Sequence, residues 1–303
     1  MDQIKNHPLY RKHNIDSAMN ALWEFYKSRF IVLFLISLVM SGIIQYATSF
    51  TDIKDIQTIT DPMEMLEKMK GLLLPIALFA VVSLFFSTIL HYYVLHRPLE
   101  EGNGILNALW KSAGYFIPYL IIMIILSFVG AIAIILGIMA LVIGVFFSLT
   151  YIVMIYFFVL PVMMVEDSNI DVTIARTIKL AHRNFWPNMG WTAVFIILFV
   201  IISIVLSGLV LLPFAGSFIS AFANPEDTGK IVTLPTDPLF LFLSSAVNAL
   251  TLPLFPIFAY ILYFNGRAQE DNVNIQTGSD NGEYKVRVED LYAKPRNEEN
   301  NFA

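Results

Sequence analysis

From Ser112 to Val165 the chain runs for 54 residues without one Asp, Glu, Lys or Arg. Drawn as a single helix that stretch would be roughly 80 Å long, against a bilayer hydrocarbon core of about 30 Å. It must therefore fold into two antiparallel spans joined by a tight turn. Gly130, Gly137 and Gly144 are the candidate turn positions, and the turn is expected near Gly137. Composition agrees with a membrane setting: 57% of the residues are hydrophobic and only 14% charged, whereas soluble domains sit near roughly a quarter charged. A net charge of -5 argues against nucleic acid as a partner, because phosphate binding needs a basic surface. With no Cys in the chain, disulfides, thiolate metal sites and cysteine nucleophiles are excluded. The first thirty residues lack the apolar core and small-residue cleavage site of a signal peptide, so the first span is expected to be retained.

The expected fold is all-α integral membrane: six transmembrane helices arranged as three hairpins, each preceded by an amphipathic interfacial helix. The spans are placed at about 30–49, 72–95, 113–136, 139–165, 188–212 and 238–264, and the interfacial helices at about 16–29, 103–112 and 171–186. Residues 1–267 form the membrane domain, and 268–303, rich in Asn, Asp, Glu and Gly, read as a disordered tail. Between the spans, 50–71 is an acidic loop in which Asp61-Pro62 starts a short helix. Residues 215–237 form a second loop punctuated by Pro225, Gly229 and Pro235. The second span ends in His91, Tyr92, Tyr93 and His96, residues suited to a headgroup-level belt.

Lys and Arg set the orientation. With the N-terminus in the cytoplasm, the cytoplasmic pieces hold ten, tail excluded, and the opposite side holds four: Lys54, Lys68, Lys70 and Lys230. Both termini then lie inside. Asn14-Ile15-Asp16 stands before the first hairpin as Asn169-Ile170-Asp171 stands before the third, which puts Phe30 opposite Phe185. Ala21-Leu22-Trp23 before the first hairpin echoes Ala108-Leu109-Trp110 before the second. Position rather than identity gives these matches weight, and they point to three units of surface helix plus hairpin.

The third unit carries a further pattern. A span ends at Pro161, an acidic turn follows at Glu166-Asp167, and an amphipathic helix with Ala175, Lys179 and Ala181 closes on Asn184-Phe185-Trp186. This resembles the bacterial six-span proteins related to the membrane domain of glycerophosphoryl diester phosphodiesterases, over residues 14–267. The resemblance implies a bacterial cytoplasmic membrane protein. Some members carry a fused phosphodiesterase domain; the tail here is too short for one, so that activity is not carried over.

Chemistry is sparse. Within 171–186, Val172, Ile174, Ala175, Ile178, Ala181, Phe185 and Trp186 make an apolar side, and Arg176, Thr177, Lys179, His182 and Arg183 a basic one. Ser168 and Asp171 resemble a capping box. Two compatible readings follow: an elbow that sets the approach of the fifth span, the commoner use of such residues, or recognition of lipid headgroups by Arg176, Lys179, His182, Arg183 and Trp186. Asn248, Pro253 and Pro256 mark a proline-kinked helix or, less commonly, the broken helix of a cavity. The spans as placed hold no Asp, Glu, Lys or Arg, which lowers the case for an ion-coupled carrier. Paired carboxylates, histidine clusters at ligand spacing and nucleophile motifs are missing, so no catalytic residue, metal or cofactor is expected. The expectation is a non-enzymatic scaffold or accessory subunit that engages membrane lipid headgroups or partner membrane proteins at the cytoplasmic face, with a carrier or flippase for a lipid or other amphiphile as the alternative. In the tail, Glu283–Leu291 alternates enough to add a strand to a partner's sheet, although a solvated linker is the plainer reading.

Overall fold

The computed structural model describes residues 2–48, 61–99, 105–223 and 234–280. Helices and their connections make up all of it; no strand occurs among the described residues. The helices are α1 (Ile15–Ser28), α2 (Phe30–Thr48), α3 (Pro62–His96), α4 (Ile105–Met139), α5 (Leu141–Val165), α6 (Ile170–Arg183), α7 (Phe185–Leu211), α8 (Ala215–Ala223), α9 (Pro238–Thr251) and α10 (Leu254–Asp280). Six stretches are long and apolar enough to cross a membrane: one each on α2, α3, α4 and α5, one from α7 through α8, and one from α9 into α10. The chain is a multi-pass membrane protein of six spans.

Several boundaries move. The turn inside the uncharged stretch falls at Ala140, whose amide donates to Gly137 O at 3.0 Å. Gly137 sits inside α4 for a different reason. A Cβ there would lie 2.7 Å from the Gly144 carbonyl oxygen, and one on Gly144 would lie 2.4 Å from that of Gly137. The two glycines let the backbones of α4 and α5 touch, the use small residues have where membrane helices pack closely. The short helix expected after Asp61 does not stop. Asp61 caps it, its carboxylate accepting from Met63 N at 2.9 Å, and α3 continues through Gly71 and Pro75 to His96. The interfacial helix expected at 103–112 is likewise no separate element, since 105–112 are the first turns of α4. Residues 215–223, expected in a loop, are helical, and so are 268–280, expected in the tail. Residues 50–60, 224–233 and 281–303, with the candidate strand Glu283–Leu291, lie outside the described residues.

Around the bundle α2 packs on α3, α3 on α4, α4 on α5, α5 on α7, α7 on α9, and α9 returns to α2. The ring is closed. The sixth span does two jobs because it breaks at Leu252-Pro253, where Pro253 and Pro256 cannot supply ladder donors. Before the break α9 is a wall of the ring. After it, α10 packs against α1, α3, α5 and α6. Residues 256–266 are buried without interruption, the mark of a helix apolar on every side and enclosed on every side. Phe157, Phe195 and Phe258 join α5, α7 and α10, the last two rings stacked 4.2 Å apart.

Helices α1 and α6 share a design. Each has 14 residues, each follows an Asn at the N-cap position, and each is joined by one residue to a span that begins with Phe. Asn14 makes a reciprocal capping box with Ser17. The box expected from Ser168 and Asp171 does not form: Asn169 is the N-cap of α6 without a side-chain cap, and Thr173 donates its hydroxyl to the Asp167 carbonyl at 2.8 Å instead. Both helices fold back along the bundle. Contacts of α1 and the residues leading into it with the last span run from His13 N donating to Asn265 Oδ1 (2.9 Å) to Tyr26 donating to Leu250 O (2.9 Å). Contacts of α6 with its neighbour α5 run from Arg176 beside Glu166 to His182 beside Tyr151.

Candidate functional site

Two places concentrate polar groups or open space. The first is the end of the bundle where residues 2–14, the end of α3, the start of α6 and the end of α10 meet, called here the capped end. Glu166 closes α5, and from the second turn of α6 Arg176 donates Nε to its Oε2 at 2.6 Å. Arg176 also grips Glu270 of α10 with both terminal nitrogens. Arg183 and Arg267 reach the same Glu270 carboxylate at 3.2 and 3.0 Å, and Tyr263 donates to Glu166 Oε1 at 2.9 Å. Arg176, Glu166, Glu270 and Arg267 are each less than a fifth exposed. The grip of Glu270, with Glu166 adding to it, raises the pKa of Arg176 above the ordinary guanidinium value. Three arginines against two glutamates leave the cluster one positive charge in excess.

Alongside it the N-terminal segment docks. Tyr10 donates to Asp271 Oδ2 at 2.6 Å and Lys5 lies 3.5 Å from the same carboxylate. His7 is 2% exposed, its Nε2 lies 3.1 Å from Val94 O, and its ring packs on Phe25 and Phe264. Burial pushes the His7 pKa down to about 4, helped by the charges of Arg29 and His96. His91, Tyr92 and Tyr93, expected in a headgroup belt, are instead buried: His91 packs on Tyr260 of α10 and Tyr92 on Tyr115 of α4.

The expected headgroup residues separate. Arg176 faces inward to the two glutamates, and Arg183 spends one nitrogen on Glu270 while remaining partly exposed. Lys179, His182 and Trp186 are exposed, Trp186 at 73%. His182 is held by the Ile178 carbonyl at 2.9 Å and stacks on Phe185. The face of α6 that packs inward is Thr173, Thr177, Leu180 and Ala181, while the more apolar Val172 and Ile178 point out. The apolar side read from the sequence is thus largely turned away from the bundle, although Ala181 is buried within it. Asn188 ties the elbow shut, donating Nδ2 to the Ala181 carbonyl at 3.0 Å.

The second place is a cavity of about 650 Å³ inside the ring, walled by α2, α3, α4 and α5 and bounded by Leu252, Phe255 and Pro256 at the break. Its wall is apolar except for Ser83, Ser87, Ser127 and Tyr156. Of the residues expected near a cavity, Pro256 lines it and Pro253 is buried at the break. Asn248 is exposed on α9 and does not line the cavity; its carbonyl accepts from Leu252 N at 2.9 Å. Among the described residues no group of three His, Asp or Glu stands close enough to hold a metal ion.

Sequence reasoning missed Glu270, Arg267 and Tyr263 as partners of Glu166 and Arg176. Nothing in the sequence signals the pairing, since Asn265, Gly266 and Arg267 end the apolar run before Glu270. Comparison with family models, with curated proteins and with solved structures found no match to the chain.

Proposed function

We propose that the protein is a non-enzymatic scaffold or accessory subunit of a bacterial cytoplasmic membrane, its capped end in the cytoplasm. There it engages anionic lipid headgroups and neighbouring membrane proteins through α6. The observation that carries this reading is the outward stripe of α6, continued by the first turn of α7, where Val172, Ala175, Ile178, Lys179, His182 and Trp186 are all exposed. Apolar and aromatic side chains interleaved with cations suit the boundary between acyl chains and headgroups, where each Lys or Arg contributes about 1 kcal/mol near an anionic surface. The Lys and Arg bias supports the cytoplasmic placement. The likeness of the α1–α2 and α6–α7 pairs supports the reading as repeated units. The full-length protein reconstituted in nanodiscs of graded phosphatidylglycerol content provides the test, with native mass spectrometry counting retained anionic lipids. Lys179→Gln with His182→Gln should reduce that retention severalfold; equal retention at every lipid composition would remove the headgroup role.

The alternative, a carrier or flippase for an amphiphile, draws support from the cavity beside Pro256. Between α1, α3, α5 and α6 the sixth span fills the axis of the bundle, so a carrier cycle requires α10 to move.

A further inference from the structure

We infer that the cavity inside the ring is a binding site for one hydrocarbon chain with an uncharged polar end, a long-chain alcohol or its ester. The inference rests on the cavity alone and is independent of the headgroup reading of α6. At about 650 Å³ the space lies within the roughly 300–1,000 Å³ of small-ligand sites. It is elongated: its wall on α4 extends from Met123 to Ile134, about 16 Å along the helix. Protein interiors close-pack wherever side chains can collapse. Here small residues hold the space open, since Ser127, Gly130 and Ala131 follow one another along the α4 wall. Surrounded by lipid, an apolar slot of that shape is matched by an alkyl chain, which restores the dispersion contacts an unfilled wall would lose.

The polar end is specified by what the wall contains and what it omits. Among the described residues none that lines it is Asp, Glu, Lys or Arg, so a carboxylate or phosphate inside would meet no counter-charge from them. Hydroxyls are present and only loosely engaged with one another. Ser87 Oγ lies 3.4 Å from the Tyr156 hydroxyl and 3.4 Å from His91 Nδ1. That imidazole nitrogen is already committed to the Ser87 carbonyl at 2.8 Å. Behind the wall Tyr119 is fully buried with its hydroxyl beside Ser87 and Tyr156, within reach of both but without a well-formed hydrogen bond to either. Buried hydroxyls that are poorly paired are costly, and a ligand hydroxyl or ester carbonyl arriving at Ser87 and Tyr156 would complete the group on the cavity side.

The test uses full-length protein in nanodiscs of neutral lipid and three photoreactive probes with the same diazirine-bearing chain: an alcohol, a carboxylic acid and a plain alkane. Peptide mapping should place the alcohol label on Met40, Met123 or Ile152, with unlabelled alcohol competing it away. Filling the slot with Ala131→Phe, or with Ser127→Leu if the first variant does not fold, should cut that label about tenfold. Tyr156→Phe should lower the preference for alcohol over alkane by about fivefold, the worth of one neutral hydrogen bond. Label confined to outward residues such as Ile124 and Phe128, or unchanged by filling and competition, would mean ordinary surrounding lipid and overturn the site. Acid labelling the slot as well as alcohol would overturn the uncharged end.

Discussion

Glu270 accepts from Arg176 and Arg267 and pairs with Arg183, so removing its charge leaves three guanidinium groups facing one remaining carboxylate. Glu270→Gln is expected to destabilise the docking of α6 on α10 by about 2 kcal/mol, below the buried-pair range because the cluster edge is wet. Thermal unfolding of the purified protein would measure it, and a cycle with Arg176→Gln should be strongly non-additive. At His7 the sign of the pH effect follows from its lowered pKa, about 4 against an unperturbed 6.5. The docked segment binds fewer protons than the free one between these values, so docking is at full strength above pH 6.5. It weakens as pH falls toward 4, by about 3 kcal/mol in all. A spin label on Asn6→Cys, the only thiol in the chain, should gain mobility over that window, and His7→Phe should abolish the response. Mobility that stays flat from neutral pH down to 4.5 would contradict it. Neither partnership was legible beforehand. Periodicity states which side of a helix a residue occupies but not which distant carboxylate waits there. Glu270 sits in a stretch whose Asn, Asp and Glu content reads as solvated tail.

Elements were legible where composition forces them and obscure where packing decides. Six spans follow from apolar length alone, and the joint at Arg29 from the end of the surface helix before Phe30; the second joint, expected after Trp186, falls at Asn184 instead. The lengths of α3 and α4 did not follow, because nothing local stops a helix at a membrane boundary when its flanking turns are good helix formers. Gly137 and Gly144 were noticed for the wrong property. They are needed for close approach, so Gly144→Leu should force α4 and α5 apart and cost several kcal/mol, while Gly190→Ala, with nothing within 4 Å of the new methyl, should be neutral or slightly stabilising. Unfolding midpoints for the two variants that differ little would show that the hairpin backbones are not in contact.

For the molecule as a whole, the closed ring and the enclosed α10 were beyond sequence reading, since each rests on long-range pairings among faces of nearly uniform hydrophobicity. Only the proline break hinted that the sixth span changes role partway. The absence of native Cys makes topology directly testable. In intact cells a membrane-impermeant maleimide should modify Glu64→Cys and spare Ser168→Cys until the membrane is permeabilised; the reverse pattern would invert the proposed orientation. The position of α10 in the chain has a consequence for biosynthesis. The helix on which α1, α3, α5 and α6 all rest leaves the ribosome after every one of them. Through most of translation those helices must wait in the bilayer with their inner faces uncovered. Maturation should accordingly come as one late, cooperative event when residues 254–271 arrive, and chains arrested before that point should be targets for membrane quality-control proteases.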